Sequence, residues 1–204
     1  MQSEVQQLVE LGVAEPTASP WAFPALCVHR NLNGEDKRRM CVDFRELNTR
    51  TVNDAFPMPD CNSILARLKA SKFNATLDVK AGFWQVELSP EAREVSVFVT
   101  RDGQYRFKRM AFGLKNAPAF FQRMMNSVLG DLVGRVCLAY IDDIVVWGDT
   151  TEDVLQNTSL VIEKLAEAGL TLNGSKCCFL AQEVELLGHV VREGLISPQV
   201  QKLD

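Results

Sequence analysis

The amino-acid sequence predicts an α+β fold, with antiparallel strands joined by tight turns and helices standing between them. Three observations carry this prediction. Short apolar runs rich in β-branched residues meet across turn signals such as Asn33-Gly34 and Asp102-Gly103. Apolar residues recur at helical spacing over 3–11, 61–71, 117–132 and 151–168. A length of 204 residues suits one domain, or a domain with a smaller subdomain, able to bury roughly 70% of its unfolded surface.

Composition narrows the class. Hydrophobic content of 47%, charged content of 24% and a mean hydropathy of −0.04 describe an ordinary globular chain. No apolar run reaches membrane-span length and no secretory signal opens the chain, so an intracellular, non-secreted protein without a membrane partner is expected. The six cysteines show no C-x-x-C pairing and read as buried hydrophobes or free thiols. A net charge of −4 argues against bulk electrostatic binding of nucleic acid, leaving that task to local clusters such as Lys37-Arg38-Arg39 and Arg106-Phe107-Lys108-Arg109.

Each element has a local reason. Val5, Leu8, Val9 and Leu11 make the first helix amphipathic, and Gly12 stops it. Pro16, Pro20 and Pro24 then keep the chain extended. Residues 25–28 and 39–42 form a hairpin whose turn is rimmed by His29, Arg30, Lys37, Arg38 and Arg39; that rim suits phosphate contacts and equally a solvated edge. Cys61, Ile64, Leu65 and Leu68 share one helical face. Residues 73–79 make a strand that ends in Asp78, after which small Ala81 and Gly82 leave backbone N–H groups accessible to an anion.

Strands over 95–100 and 104–110 flank Asp102-Gly103. Pro118 opens a helix that packs Phe120, Phe121, Met124, Met125, Val128 and Leu132. After a strand over 135–141 and its return to Trp147, Asp149 or Thr150 caps a helix that Gly169 ends. Residues 178–191 supply short strands or a hairpin about Gly188.

The chemistry concentrates in Ala139-Tyr140-Ile141-Asp142-Asp143-Ile144-Val145-Val146-Trp147, an apolar hairpin with two acids at its turn. Like charges about 4 Å apart repel by roughly 4 kcal/mol even at an effective dielectric near 20. The pair therefore calls for a positive partner, most simply a divalent cation with oxygen ligands, or else forms a polar turn without metal. Asp78 ends an apolar strand in the same way. Antiparallel placement of the two strands would gather three carboxylates at one sheet end, suited to two Mg²⁺ and in-line phosphoryl transfer of the polymerase or nuclease kind.

A series of ordered motifs goes further. Val42-Asp43-Phe44-Arg45-Glu46-Leu47-Asn48, Leu77-Asp78-Val79 with Phe83, the run from Phe112-Gly113-Leu114-Lys115-Asn116 through Ala117-Pro118-Ala119-Phe120-Phe121-Gln122, Tyr140-Ile141-Asp142-Asp143, Gly169-Leu170-Thr171-Leu172 through Lys176, and Leu187-Gly188-His189 resemble a reverse transcriptase. Their order and spacing are similar to the gypsy type of LTR retrotransposon, from about Leu11 to about Leu195.

The resemblance implies the fingers and palm of such an enzyme, with an antiparallel palm sheet backed by helices. Fingers would cover about 1–72 and 93–116, palm about 73–92 and 117–204, with no thumb within the chain. It implies RNA-directed and DNA-directed DNA synthesis as part of a Pol polyprotein. The partners would be an RNA or DNA template with its primer, dNTPs, and thumb, RNase H and integrase segments in cis. The alternative is an inactive or domesticated remnant that binds nucleic acid or a partner without polymerising, and its setting would be the cytoplasm, a virus-like particle or the nucleus.

Residue by residue, Asp78, Asp142 and Asp143 match the catalytic aspartates holding two Mg²⁺, with Mn²⁺ as a substitute and the Val79 carbonyl as a further ligand. Arg39 matches the arginine on the incoming triphosphate, Arg30 falls near the fingers lysine, and Ala81 and Gly82 offer N–H groups to the phosphates. Phe83 matches the aromatic steric gate under the sugar. Phe112, Gly113 and Tyr140 belong with the substrate contacts, and Ala111 stands where the family usually has proline. Lys176 matches the lysine that protonates pyrophosphate. Leu187, Gly188 and His189 match the primer grip.

Overall fold

The computed structural model describes the chain apart from Asn33, Gly34, Gln182, Leu187, Gly188, Glu193, Gly194 and 199–204, and apart from the side chains of 29–39, 61, 69–70, 181–189, 192, 196 and 198. In chain order the elements are α1 (Gln2–Glu10), β1 (Ala14–Pro16), β2 (Phe23–Leu32), β3 (Glu35–Val42), α2 (Arg45–Arg50), α3 (Cys61–Ala70) and β4 (Phe73–Asp78). A 3-10 turn over Gly82–Gln85 precedes α4 (Pro90–Val95), β5 (Val97–Thr100), β6 (Gly103–Phe107) and α5 (Ala117–Leu129). There follow β7 (Cys137–Tyr140), β8 (Asp143–Gly148), α6 (Thr151–Glu167), β9 (Cys178–Ala181), β10 (Glu183–Leu186), β11 (His189–Arg192) and β12 (Leu195–Pro198).

The chain forms two compact units, Met1–Asp54 with Ala81–Ala117, and Ala55–Lys80 with Pro118–Asp204. The sequence places the subdomain changes near 72, 92 and 116; the units change at 54, 80 and 117.

The first unit is built on a sheet of order β1-β6-β5-β2-β3. Antiparallel β5 and β6 meet across the predicted Asp102-Gly103 turn, while β2 runs parallel to β5 through Phe23↔Phe98 and Pro24↔Val99. Val5 and Leu8 of α1 pack with Phe23, Phe44, Phe98 and Phe107 into one apolar core. Gly12, at φ 67, ends α1 as expected, since a residue with a Cβ is disfavoured there. Pro16 is tolerated in β1 because β1 is an edge strand.

The second unit holds a four-stranded sheet of order β7-β8-β4-β9 and a meander of β10, β11 and β12. The β4–β8 register runs from Phe73↔Gly148 to Asp78↔Asp143, so the apolar stretches of both strands end together at their acids. Leu77, Phe121, Met125, Leu129, Ile144, Val146, Val161 and Leu165 are fully or almost fully buried. Ile64, Leu65 and Leu68 of α3 pack with Val145 and Val191. A capping box of Thr150 and Asp153 starts α6, and Gly169 at φ 73 follows its end. Gly148 joins β8 to that helix where a Cβ would lie 2.7 Å from Asp153 Cβ and 2.8 Å from Val154 N, so no other residue fits without moving backbone.

Several sequence expectations are corrected. Val95 ends α4 rather than opening a strand, because Ser89 caps α4 by accepting from Ala92 N and Pro90 occupies its first turn. The strand expected to reach Met110 ends at Phe107, and 108–110 instead bonds to 86–88 through Leu88 N to Lys108 O and Met110 N to Val86 O. Phe120 is 43% exposed: the buried stripe of α5 runs through Phe121, Gln122, Met125 and Leu129. The second predicted palm strand starts only at Cys137, after Gly134 turns the chain at φ 77.

Candidate catalytic site

The acids lie where the sheet of the second unit stops. Pairing of Tyr140 with Asp143 closes a two-residue β7–β8 hairpin with Ile141 and Asp142 at its tip. Ile141 has φ 56, a left-handed conformation that a β-branched residue adopts at a cost of about 1–3 kcal/mol. A turn with positive φ only at its first central residue favours glycine there, so an isoleucine needs outside support. Gln122 of α5 supplies it: Ile141 N donates to Gln122 Oε1 at 2.8 Å, and Gln122 Nε2 donates to Ala139 O at 2.9 Å.

Asp78 faces the hairpin as the cross-strand partner of Asp143, and Val79 N donates to Asp142 O at 2.9 Å. A third segment locks on from the other side. Asn173 N donates to Asp78 O at 2.8 Å and Lys80 N to Thr171 O at 3.0 Å, so neither bond uses the Val79 carbonyl. The turn after Asn173 carries Lys176, whose Nζ donates to Asp78 Oδ2 at 3.0 Å. Asp78, Val79, Tyr140, Asp142, Asp143 and Lys176 thus all belong to one small region of one unit.

Electrostatics there are unfavourable as the residues stand. Burial pushes the Asp142 carboxyl above the usual carboxylate range, and the Asp78 charge adds to this. Burial likewise raises Asp143, reinforced by Asp142 and then Asp78, while Lys176 pulls both acids the other way. One ammonium thus offsets three carboxylates only in part. Among the described residues, no group of three or more His, Cys, Asp or Glu side chains is arranged so as to hold a metal ion as it stands. The chemistry of the donors is nevertheless the kind that hard divalent cations take: carboxylate oxygens whose ionised forms are penalised by burial and by one another.

The first unit carries the other predicted contacts. Ala81, at φ 50, leads into the 3-10 turn that holds buried Gly82 and half-buried Phe83. The Phe83 ring lies 5.1 Å from that of Phe112, and Trp84 meets Phe112 edge-on at 5.9 Å. Phe112 remains 55% exposed, so the trio presents an aromatic surface to solvent. Gly113, at φ 91, follows Phe112 in a loop that Asn48 fastens on two sides, its Nδ2 donating to Gly113 O and its Oδ1 accepting from Lys115 N. Asn48, Trp84 and Gln122 are the contributors that sequence reasoning missed. Asn48 and Gln122 close two of the motifs that carry the family resemblance, and that position is the signal that points to them.

Arg30 and Arg39 lie on β2 and β3, paired with Lys37 and Val28. Their side chains, with Leu187, Gly188 and the His189 side chain, lie outside the described residues.

Comparison with known proteins gives the fold and the family. The sheet and helices are those of solved reverse transcriptases: the foamy viral protease-reverse transcriptase in complex with double-stranded DNA superposes with a TM-score of 0.87 at 25% identity, over 98% of this chain and 34% of that one. The profile of the family "Reverse transcriptase (RNA-dependent DNA polymerase)" matches residues 31–191, and the chain belongs to that family. The Pol polyprotein of the Drosophila melanogaster transposon opus is 38% identical over all of this chain, and that of transposon gypsy 35% identical over 93% of it. The chain spans about a fifth of the length of these relatives, 20% and 19%. Among the described residues no helix is long and apolar enough to cross a membrane.

Proposed function

We propose that this chain is the polymerising part of a retrotransposon Pol polyprotein and adds deoxynucleotides to a primer on an RNA or DNA template, inside the cell. The observation that carries the reading is the convergence of Asp78, Asp142, Asp143 and Lys176 at one end of a sheet, within a chain of this family. The first unit would serve mainly as fingers and the second as palm, working with thumb, RNase H and integrase segments of the same polyprotein.

Asp78, Asp142 and Asp143, with the Val79 carbonyl, would hold two Mg²⁺, with Mn²⁺ as a substitute. Such ions supply charge stabilisation for the attacking and leaving oxygens of an in-line displacement. The primer 3′-oxygen bonds to the α-phosphorus of the dNTP, the bond from that phosphorus to the bridging oxygen breaks, and pyrophosphate leaves. Lys176, hydrogen-bonded to Asp78, would give a proton to the departing pyrophosphate while the 3′-hydroxyl proton is lost to solvent. Phe83 would lie under the sugar and reject a 2′-hydroxyl. Phe112, Gly113 and Tyr140 would contact the nucleotide and template, Ala81, Gly82, Arg30 and Arg39 its phosphates, and Leu187, Gly188 and His189 the primer.

Primer extension on poly(rA)–oligo(dT) with dTTP and Mg²⁺ tests the reading in the full-length polyprotein. Extension that falls to background in Asp142→Asn supports it. Absence of extension in the unaltered protein, despite bound template, would favour the non-polymerising remnant.

A further inference from the structure

Gln122 closes the long motif around Pro118, yet no step above uses it. Its side chain is completely buried, where an amide is tolerated only with its hydrogen bonds made. The partners are specific. Nε2 donates to Ala139 O and, at 3.0 Å, to Asn126 Oδ1, while Oε1 accepts from Ile141 N. Because one hairpin partner is an acceptor and the other a donor, only one orientation of the amide serves both.

The two hairpin atoms belong to residues that alternate with Tyr140. In a strand, alternate residues turn their N–H and C=O to the same side, and Tyr140 points toward β8 as the partner of Asp143. Ala139 and Ile141 therefore point away from β8, at the outer edge of β7, and β7 is the terminal strand of its sheet. One glutamine amide presents the donor and acceptor that a neighbouring strand would have offered. It does so at the residue whose left-handed backbone directly precedes the paired acids.

We propose that Gln122 is a positioning residue, whose amide acts as a one-residue substitute strand and holds Ile141 in the conformation that aims Asp142 and Asp143 at their cations. This rests on the polymerase reading for what the acids hold. It does not depend on that reading for what Gln122 does to the turn.

The test uses the 204-residue chain with Gln122→Met, Ile141→Gly, the double variant, and Met125→Ala as a control. Met125 is likewise fully buried on α5, but its thioether has no N–H or O–H to give the hairpin. Two readouts are taken: Mn²⁺ binding by electron paramagnetic resonance, and hydrogen exchange of individual amides. In Gln122→Met the Ile141 amide is expected to exchange at least about tenfold faster while Val145 and Val146 in β8 stay protected, and Mn²⁺ affinity is expected to drop about tenfold. Adding Ile141→Gly should restore most of that affinity, because glycine adopts positive φ without support. Met125→Ala should destabilise the fold and leave Mn²⁺ affinity unchanged.

An Ile141 amide still protected in Gln122→Met overturns the proposal, as does unchanged Mn²⁺ affinity, failure of glycine to rescue, or an equal loss in Met125→Ala. If Gln122→Met does not fold, Gln122→Ala takes its place in the same comparison. If the unaltered chain binds no Mn²⁺, the metal reading of the acids falls instead, and the exchange measurement still decides whether Gln122 holds the turn.

Discussion

Asparagine in place of Asp143 is expected to make the metal-free chain more stable at neutral pH, although the substitution removes a proposed metal ligand. Asp78 and Asp143 are directly opposed on neighbouring antiparallel strands, which sets their Cβ atoms about 4.5–5.5 Å apart. Two unit charges about 5 Å apart at an effective dielectric near 20 repel by about 3 kcal/mol. Lys176 on Asp78 and access of water to the site reduce this, leaving about 1 kcal/mol to be gained by neutralising one partner. For a chain of this size that is a rise of about 2–4 °C in Tm.

The pH dependence has a definite sign. The Asp143 carboxyl is raised above its ordinary value, so the folded chain keeps a proton that the unfolded chain has already lost. Stability of the unaltered chain therefore falls as pH climbs from the ordinary carboxylate range through the raised value. The advantage of Asp143→Asn should be present at pH 7 and vanish below about pH 4, near the ordinary value. Thermal unfolding followed by circular dichroism in EDTA at both pH values measures it. Adding Mn²⁺ at pH 7 should then reverse the order, because a ligand at 100 times its Kd stabilises the unaltered chain by about 2.7 kcal/mol. A variant less stable than the unaltered chain at pH 7 in EDTA would refute the claim that ionised Asp143 is penalised by its burial and by the neighbouring acids.

Phe83→Ala should lower discrimination against ribonucleotides by at least about tenfold in single-nucleotide incorporation; unchanged discrimination would reduce the ring to packing against Phe112. Lys176→Leu should slow incorporation and change its pH profile, and a slower enzyme with an unaltered profile would remove the proton-donor role. Thr150→Ala breaks the capping box of α6 and should cost about 1 kcal/mol, a drop of about 2–4 °C in Tm, without altering Mn²⁺ affinity.

Much of the fold was legible because its signals are local. Gly12, Thr150 and Gly169 end or begin helices through their own chemistry, and the Asp-Asp hairpin announces itself by two charges in a β-branched run. The Ser89-Pro90 start of α4 is an equally local signal, and it competes with the strand pattern around Val95. What could not be read is non-local. Nothing near Phe23 specifies a parallel pairing with Phe98, and nothing near Asp78 specifies Asp143 as the residue opposite. Gln122 was hidden for a different reason: a glutamine in a helical pattern reads as a surface residue, and only the hairpin edge beside it makes its burial favourable. Asn48 was hidden likewise, since its partners Gly113 and Lys115 are distant in sequence.

The chain order of the palm-like sheet has a consequence for how the molecule comes into being. Strand β4 sits between β8 and β9, both of which follow it in the chain, and the whole 81–117 segment of the other unit lies between β4 and its first partner. During synthesis β4 therefore leaves the ribosome with both of its edges open and with Ala75 and Leu77 uncovered. It stays so while the first unit completes its own sheet. Contacts of such long sequence separation form slowly, and an unpaired apolar strand is prone to aggregate in the interval. A nascent chain cut before Asp143 should accumulate as aggregate or chaperone-bound material, whereas one released after Ala181 can close the sheet. The acids at the strand ends thus meet only in the last stage of folding, and Asp78 spends most of that time as an ordinary solvated carboxylate.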